Sequence, residues 1–159
     1  MRTTFYRAVS ALLLMAAISS VNAAGLMVSD PWVRAAPPNA PALAAFMTLE
    51  NHSGSDLSVV AVRTALPVTR TEMHRTMMAD GMMKMMQQKE MPVAAHNSLM
   101  LKPGSWHIMM IGPDKVPTEG ELVALTLVLS DGSEQQVMAK VRKGQAMMKG
   151  GHHSHMMQH

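Results

Sequence analysis

The sequence predicts an all-β domain, a sandwich or barrel. Short runs rich in β-branched and other apolar residues are separated by Gly, Pro, Asn and Asp turns. No stretch sustains the 3.6-residue period of an amphipathic helix. Asp131-Gly132 sits between two such runs and is a hairpin signal.

Taken in order, "LMVSDPWVRAA" (26–36) has strand-type residues interrupted by Pro31, and "PPNAP" (37–41) is a turn. "ALAAFMTLEN" (42–51) is an apolar run that Asn51 ends, and "HSGSD" (52–56) is a loop. "LSVVAVRT" (57–64) is β-branched. "ELVALTLVLS" (121–130) alternates in part, and "DGS" (131–133) turns it into "EQQVMAKVR" (134–142).

The ends differ in character. Arg2 and Arg7 precede an apolar run from Ala8 to Ile18, then "SSVNA" with small residues at Val21 and Ala23. This is the layout of a secretory signal peptide over residues 1–23. The run is well short of the roughly 20 apolar residues that a membrane span needs. The expectation is an exported, periplasmic protein with no stable membrane insertion. From residue 143 the chain is "KGQAMMKGGHHSHMMQH" (143–159), without a packing pattern, and reads as a disordered tail. The domain expected to fold is thus 24–142.

Composition narrows the chemistry. Without Arg2 and Arg7 the chain carries 12 basic and 11 acidic residues, too even a balance for nucleic acid or an anionic membrane. It has no cysteine, which excludes thiol nucleophiles, thiolate zinc sites and the histidine–cysteine blue-copper centre of electron-transfer proteins. It has 20 methionines and 8 histidines. Thioether sulfur is a soft, neutral ligand that favours Cu(I).

Seven methionines and one histidine crowd into "EMHRTMMADGMMKMM" (72–86). A hairpin turning at Asp80-Gly81 sets Ala79 opposite Met82, Thr76 opposite Met85 and His74 opposite Gln87. His74 and Met85 then lie diagonally on one face, roughly 7–8 Å apart at the backbone. A four-residue loop keeps that pairing; a three-residue loop breaks it. In "KPGSWHIMMIG" (102–112), His107 and Met109 are two apart and share one strand face. Two imidazoles and two thioethers suit Cu(I) and poorly suit magnesium, calcium or structural zinc. Methionine on a strand is also ordinary core filler, so pairing rules alone leave packing and ligation both standing. His52 and His96 have no partner at ligand spacing and read as surface residues. Glu72 and Glu90 have no second carboxylate placed for acid–base work.

The intervals add specificity. Ten residues separate His74 from Met85, twenty-one separate Met85 from His107, and His107-X-Met109 follows. This resembles the H(M)X10MX21HXM signature of the periplasmic copper chaperone family PCuAC, with Met73 a candidate for the optional methionine. "WVRAAPPNAPALAAFMTLEN" (32–51) and "LTLVLSDGSEQQVMAKVR" (125–142) are similar to its opening strands and last hairpin. The resemblance implies a cupredoxin-like Greek-key β-barrel/sandwich holding one Cu(I) near its surface through His74, Met85, His107 and Met109. It implies delivery to a copper acceptor, either the copper subunit of cytochrome c oxidase during assembly or a Sco-like thioredoxin-fold protein. Some relatives resemble this chain in a His- and Met-rich extension. On that pattern His152, His153, His155 and His159, with Met147, Met148, Met156 and Met157, offer additional Cu(I)/Cu(II) binding. Copper sequestration without a dedicated acceptor needs a similar site and stands as the alternative. Four ligands leave no open position for a substrate, so no enzyme activity is expected. The other hairpin methionines, Met77, Met82 and Met86, are expected to form a soft docking patch.

Overall fold

The computed structural model describes residues 25–144. The expected leader (1–23) and nearly all of the expected tail (143–159) lie outside the described residues. Ten strands make one sheet: β1 (Leu26–Arg34), β2 (Ala42–Asn51), β3 (Leu57–Thr64), β4 (Val68–Ala79), β5 (Met82–Gln88), β6 (Met91–Val93), β7 (Ser98–Leu101), β8 (Trp106–Pro113), β9 (Leu122–Leu129) and β10 (Glu134–Arg142). Among the described residues there is no helix, hence none long and apolar enough to cross a membrane.

Sheet order is β5-β4-β8-β7-β2-β1-β10-β9-β3-β6, with β8 also paired to β2. Spatial neighbours are mostly not chain neighbours, the mark of Greek-key winding. The sheet curls so that Thr71 of β4 donates its hydroxyl to the Val62 carbonyl of β3. Inside the curl, Val33, Ala45, Met110, Leu125, Leu127 and Ala139 are fully buried. β9 alternates buried and half-buried positions along its length, the period-2 pattern of a strand with one face on the core.

The strands read from sequence match closely, and the departures have local causes. β1 ends at Arg34 because Pro37 and Pro38 cannot extend a ladder. Its register shifts between Ser29 and Trp32, where Asp30 takes φ 46° beside Pro31, which has no N–H to donate. Arg142 closes this bulge: Nη2 donates to Asp30 Oδ2 at 2.7 Å and the guanidinium stacks 4.7 Å from the Trp32 ring centre. β7 has only four residues and no alternation of its own; pairing with β2 creates it.

β8 departs from simple alternation, since Trp106, His107 and Ile108 are all buried. Ile108 faces the core, opposite Met73 of β4 and Ala45 of β2. It anchors the strand that carries His107 and Met109. Ile108→Ala is expected to lower unfolding free energy by about 2–5 kcal/mol, because a buried branched side chain leaves a cavity. The half-buried Met109→Leu is expected to cost under about 1.5 kcal/mol. Chemical denaturation of both variants checks the difference.

Candidate metal centre

The centre is assembled by three strands. The β4–β5 hairpin turns through Asp80 (φ 51°) and Gly81 (φ 72°), two left-handed residues as a tight two-residue hairpin requires. Ala79 faces Met82, Thr76 faces Met85 and His74 faces Gln87, the register expected from sequence. β4 also runs antiparallel to β8, with His74 opposite His107 and Glu72 opposite Met109. Directly opposed residues share a face. His74, Met85, His107 and Met109 therefore all lie on one face, away from the core.

The two imidazoles stand 5.7 Å apart, centre to centre, with their planes tilted by 53°. Phe46 lies 6.3 Å from the His107 ring and Trp32 lies 4.7 Å from Phe46. Arg34 stacks 5.5 Å from the Phe46 ring centre. This cover leaves His107 only 4 % exposed, although it faces outward. Met109 is half-buried, and Met85 on the edge strand β5 is 56 % exposed.

Hydrogen bonds settle which ring nitrogens are free. A carbonyl only accepts, so His107 Nδ1 donates to the Ser105 carbonyl at 3.0 Å. That leaves Nε2 with its lone pair. Glu72 Oε2 lies 2.7 Å from His74 Nε2, so Nε2 carries the proton and Nδ1 keeps the lone pair. Among the described residues, the buried side-chain nitrogens and oxygens without a partner are two: His74 Nδ1 and His107 Nε2. Each unpaired buried acceptor costs about 1–3 kcal/mol. A metal ion accepts both lone pairs and removes that cost.

The electrostatics favour the same state. Burial pushes the His107 pKa below its ordinary value, and the charge of Arg34, with that of His74 when protonated, pushes the same way. The Ser105 carbonyl opposes them. A metal ligand must be the neutral imidazole. The Arg70 guanidinium and then His74 hold the Glu72 carboxyl below the usual carboxylate range. Glu72 thus stays an acceptor for the His74 N–H. Among the described residues, no group of three or more His, Cys, Asp or Glu side chains is placed to hold an ion. The Met85 and Met109 thioethers on this face are soft donors, which favour soft metals.

One sequence expectation requires correction. Met73 does not join the centre: it alternates to the core face, opposes Ile108 and is 7 % exposed. Met77, Met82 and Met86, expected as a docking patch, lie on the face away from His74, since Met77 opposes Lys84 and Met86 opposes Arg75, and Met82 and Met86 are exposed there. Glu72 was read only for acid–base work, yet it is the hydrogen-bond partner of His74. Its signal was the i, i+2 spacing that joins His107 to Met109. His52 and His96 are exposed as expected, but they line one cleft of about 250 Å³ with Glu50, brought together by the β2–β7 end of the sheet.

Comparison with known proteins follows the same lines. A family model described as "Putative lipoprotein LpqE-like" matches residues 26–141. A relative in Leifsonia xyli subsp. xyli, named "Putative lipoprotein Lxx21020", is 34% identical over 123 residues, covering 76% of this chain and 72% of its own. The solution structure of CuI-DR1885 from Deinococcus radiodurans is 30% identical, with TM-score 0.60, over 80% of this chain and 87% of that one. The copper-bound PCuAC domain from PmoF2 shares the fold at 17% identity, with TM-score 0.64, over 76% of this chain and 94% of that one. The architecture is the cupredoxin-like Greek-key fold of these domains. The chain belongs to the LpqE-like family, of PCuAC type.

In the metal-free chain, long-range ¹H–¹⁵N NMR is expected to show Nδ1 of His107 and Nε2 of His74 as the protonated nitrogens. Glu72→Leu should move His74 into a tautomer mixture and leave His107 unchanged. The lowered His107 value also has a stability consequence. The unfolded chain takes up the proton first, so the stability contributed by neutral His107 is complete above pH 6.5 and is lost as pH falls below it. Thermal unfolding at pH 7.5 and 5.5 should show a smaller acid loss for His107→Phe than for the wild type.

Proposed function

We propose that this protein is an exported copper chaperone that holds Cu(I) through His74 Nδ1, Met85, His107 Nε2 and Met109 and passes it to an acceptor in the periplasm. The observation that carries the reading is the pair of buried, partnerless imidazole nitrogens on the face that also bears the two thioethers. The family and the copper-bound neighbours support the class of ligand. The acceptor we favour is the copper subunit of cytochrome c oxidase or a Sco-like thioredoxin-fold protein.

The four ligands are neutral, so Cu(I) keeps its single charge and no ligand proton is released at neutral pH. Exposure orders the exchange. Met85, at 56 % exposed on the edge strand, is the ligand an incoming thiolate, thioether or imidazole displaces first. Met109 follows, and the buried His107 leaves last. The imidazoles retain the ion until an acceptor has replaced both sulfurs. Glu72 keeps His74 in the tautomer that presents Nδ1.

An anaerobic Cu(I) competition titration of the full chain tests the ligand set. One tight equivalent in the wild type is expected to weaken by at least roughly 100-fold in His107→Ala/Met109→Ala, with the far-UV spectrum unchanged. Unchanged affinity sinks the reading. Glu72→Leu is expected to cost roughly 10–100-fold as an outer-shell partner. Loss of oxidase activity at low copper in a deletion strain favours delivery; copper sensitivity alone favours sequestration.

A further inference from the structure

The β4–β5 hairpin runs past the sheet. The ladder of β4 on β8 ends at Arg75 opposite Trp106, closed by a bond from Thr76 N–H to the Ser105 carbonyl. Beyond it, β4 pairs only with β5. Both faces of this tip meet solvent. Met78, Met82, Met83, Met85 and Met86 are all among the exposed large apolar side chains.

Strand parity divides them. Met78 lies directly opposite Met83, two residues beyond the Thr76–Met85 pair. Met78, Met83 and Met85 therefore share the face of His74 and His107. Directly opposed side chains start roughly 5 Å apart. Met83 and Met85 are two residues apart on one strand, roughly 7 Å at the backbone. Methionine has three rotatable bonds and a polarisable sulfur, so three such arms converge readily on one ion. The tip's carboxylate, Asp80, is paired with Lys84 Nζ at 2.7 Å. The donors left on this face are soft.

We propose that Met78, Met83 and Met85 form an outer Cu(I) landing site, separate from the inner centre but sharing Met85 with it; this rests on the reading of the inner centre as a Cu(I) site. Copper arrives on three thioethers. Met85 stays bound while the His74 and His107 nitrogens replace Met83 and Met78. With Met109 completing the inner set, the exchange breaks two Cu–S bonds and forms two Cu–N bonds and one Cu–S bond. The oxidation state, the charge of the complex and its proton count do not change. The inner centre wins because it is shielded and adds two imidazoles; the outer one is more than half exposed and all sulfur.

The test is ¹³C-methyl methionine NMR of the full chain, titrated anaerobically with Cu(I), together with Met78→Leu/Met83→Leu. The first equivalent is expected to move the Met85 and Met109 methyls; with the inner centre disabled in His107→Ala/Met109→Ala, copper is expected to move Met78, Met83 and Met85 instead. The double leucine variant should hold inner-site affinity within about twofold, as surface substitutions do. It should load copper roughly tenfold more slowly, because the ion no longer waits at high local concentration beside the centre. Met78 and Met83 methyls that stay fixed through three equivalents in His107→Ala/Met109→Ala, or loading rates equal to wild type in the double leucine variant, overturn the landing site. Copper that moves Met78 and Met83 but never Met109 or the histidine ring signals leaves an outer site and defeats the inner reading instead.

Discussion

The register of β4 on β8 governs the candidate centre. It sets His74 opposite His107, with rings 5.7 Å apart, and Glu72 opposite Met109. A slip of one residue would turn the whole set to the other face. The core holds that register from behind: Met73 and Ile108 oppose each other in the buried layer, and Arg75 stacks 5.2 Å from the Trp106 ring centre. The centre is therefore positioned by side chains that never touch its donors. The apolar layer fixes the strands, and the strands fix the outward-facing nitrogens.

The centre combines two environments with opposite roles. On β8, inside the sheet, His107 lies beside Phe46, and burial disfavours its charged form. Its one protonated nitrogen is tied to Ser105. On β5, at the sheet edge, Met85 stands in solvent with no neighbouring strand beyond it. A rigid, dry side favours retention, and an open, flexible side favours exchange. A site buried on all sides would hold an ion and release it slowly. One built wholly on the hairpin would lack the unpaired nitrogens whose burial favours filling it. Glu72 links the halves, since it fixes the His74 tautomer while lying opposite Met109.

How much of this was legible in the sequence follows from the range of each interaction. The Asp80-Gly81 turn is chemistry between adjacent residues, so the hairpin register and the diagonal of His74 with Met85 could be read directly. Strand alternation placed His107 and Met109 on one face. The same rule sends Met77, Met82 and Met86 to the face away from His74 and places Met73 in the core, where the motif had suggested otherwise. Glu72 was legible by that rule as well, from its two-residue spacing to His74.

By itself the sequence determined the all-β class, the strands with their own alternation, the hairpin and the local partners within it. The tertiary structure alone decided that β4 lies against β8, joining two histidines 33 residues apart. It also decided that Phe46 comes beside His107 on the outer face, and that β7 exists as a strand at all. Local rules fix which way a side chain points along its own strand. Which strand lies beside it depends on how the whole apolar layer closes, and no single segment carries that information.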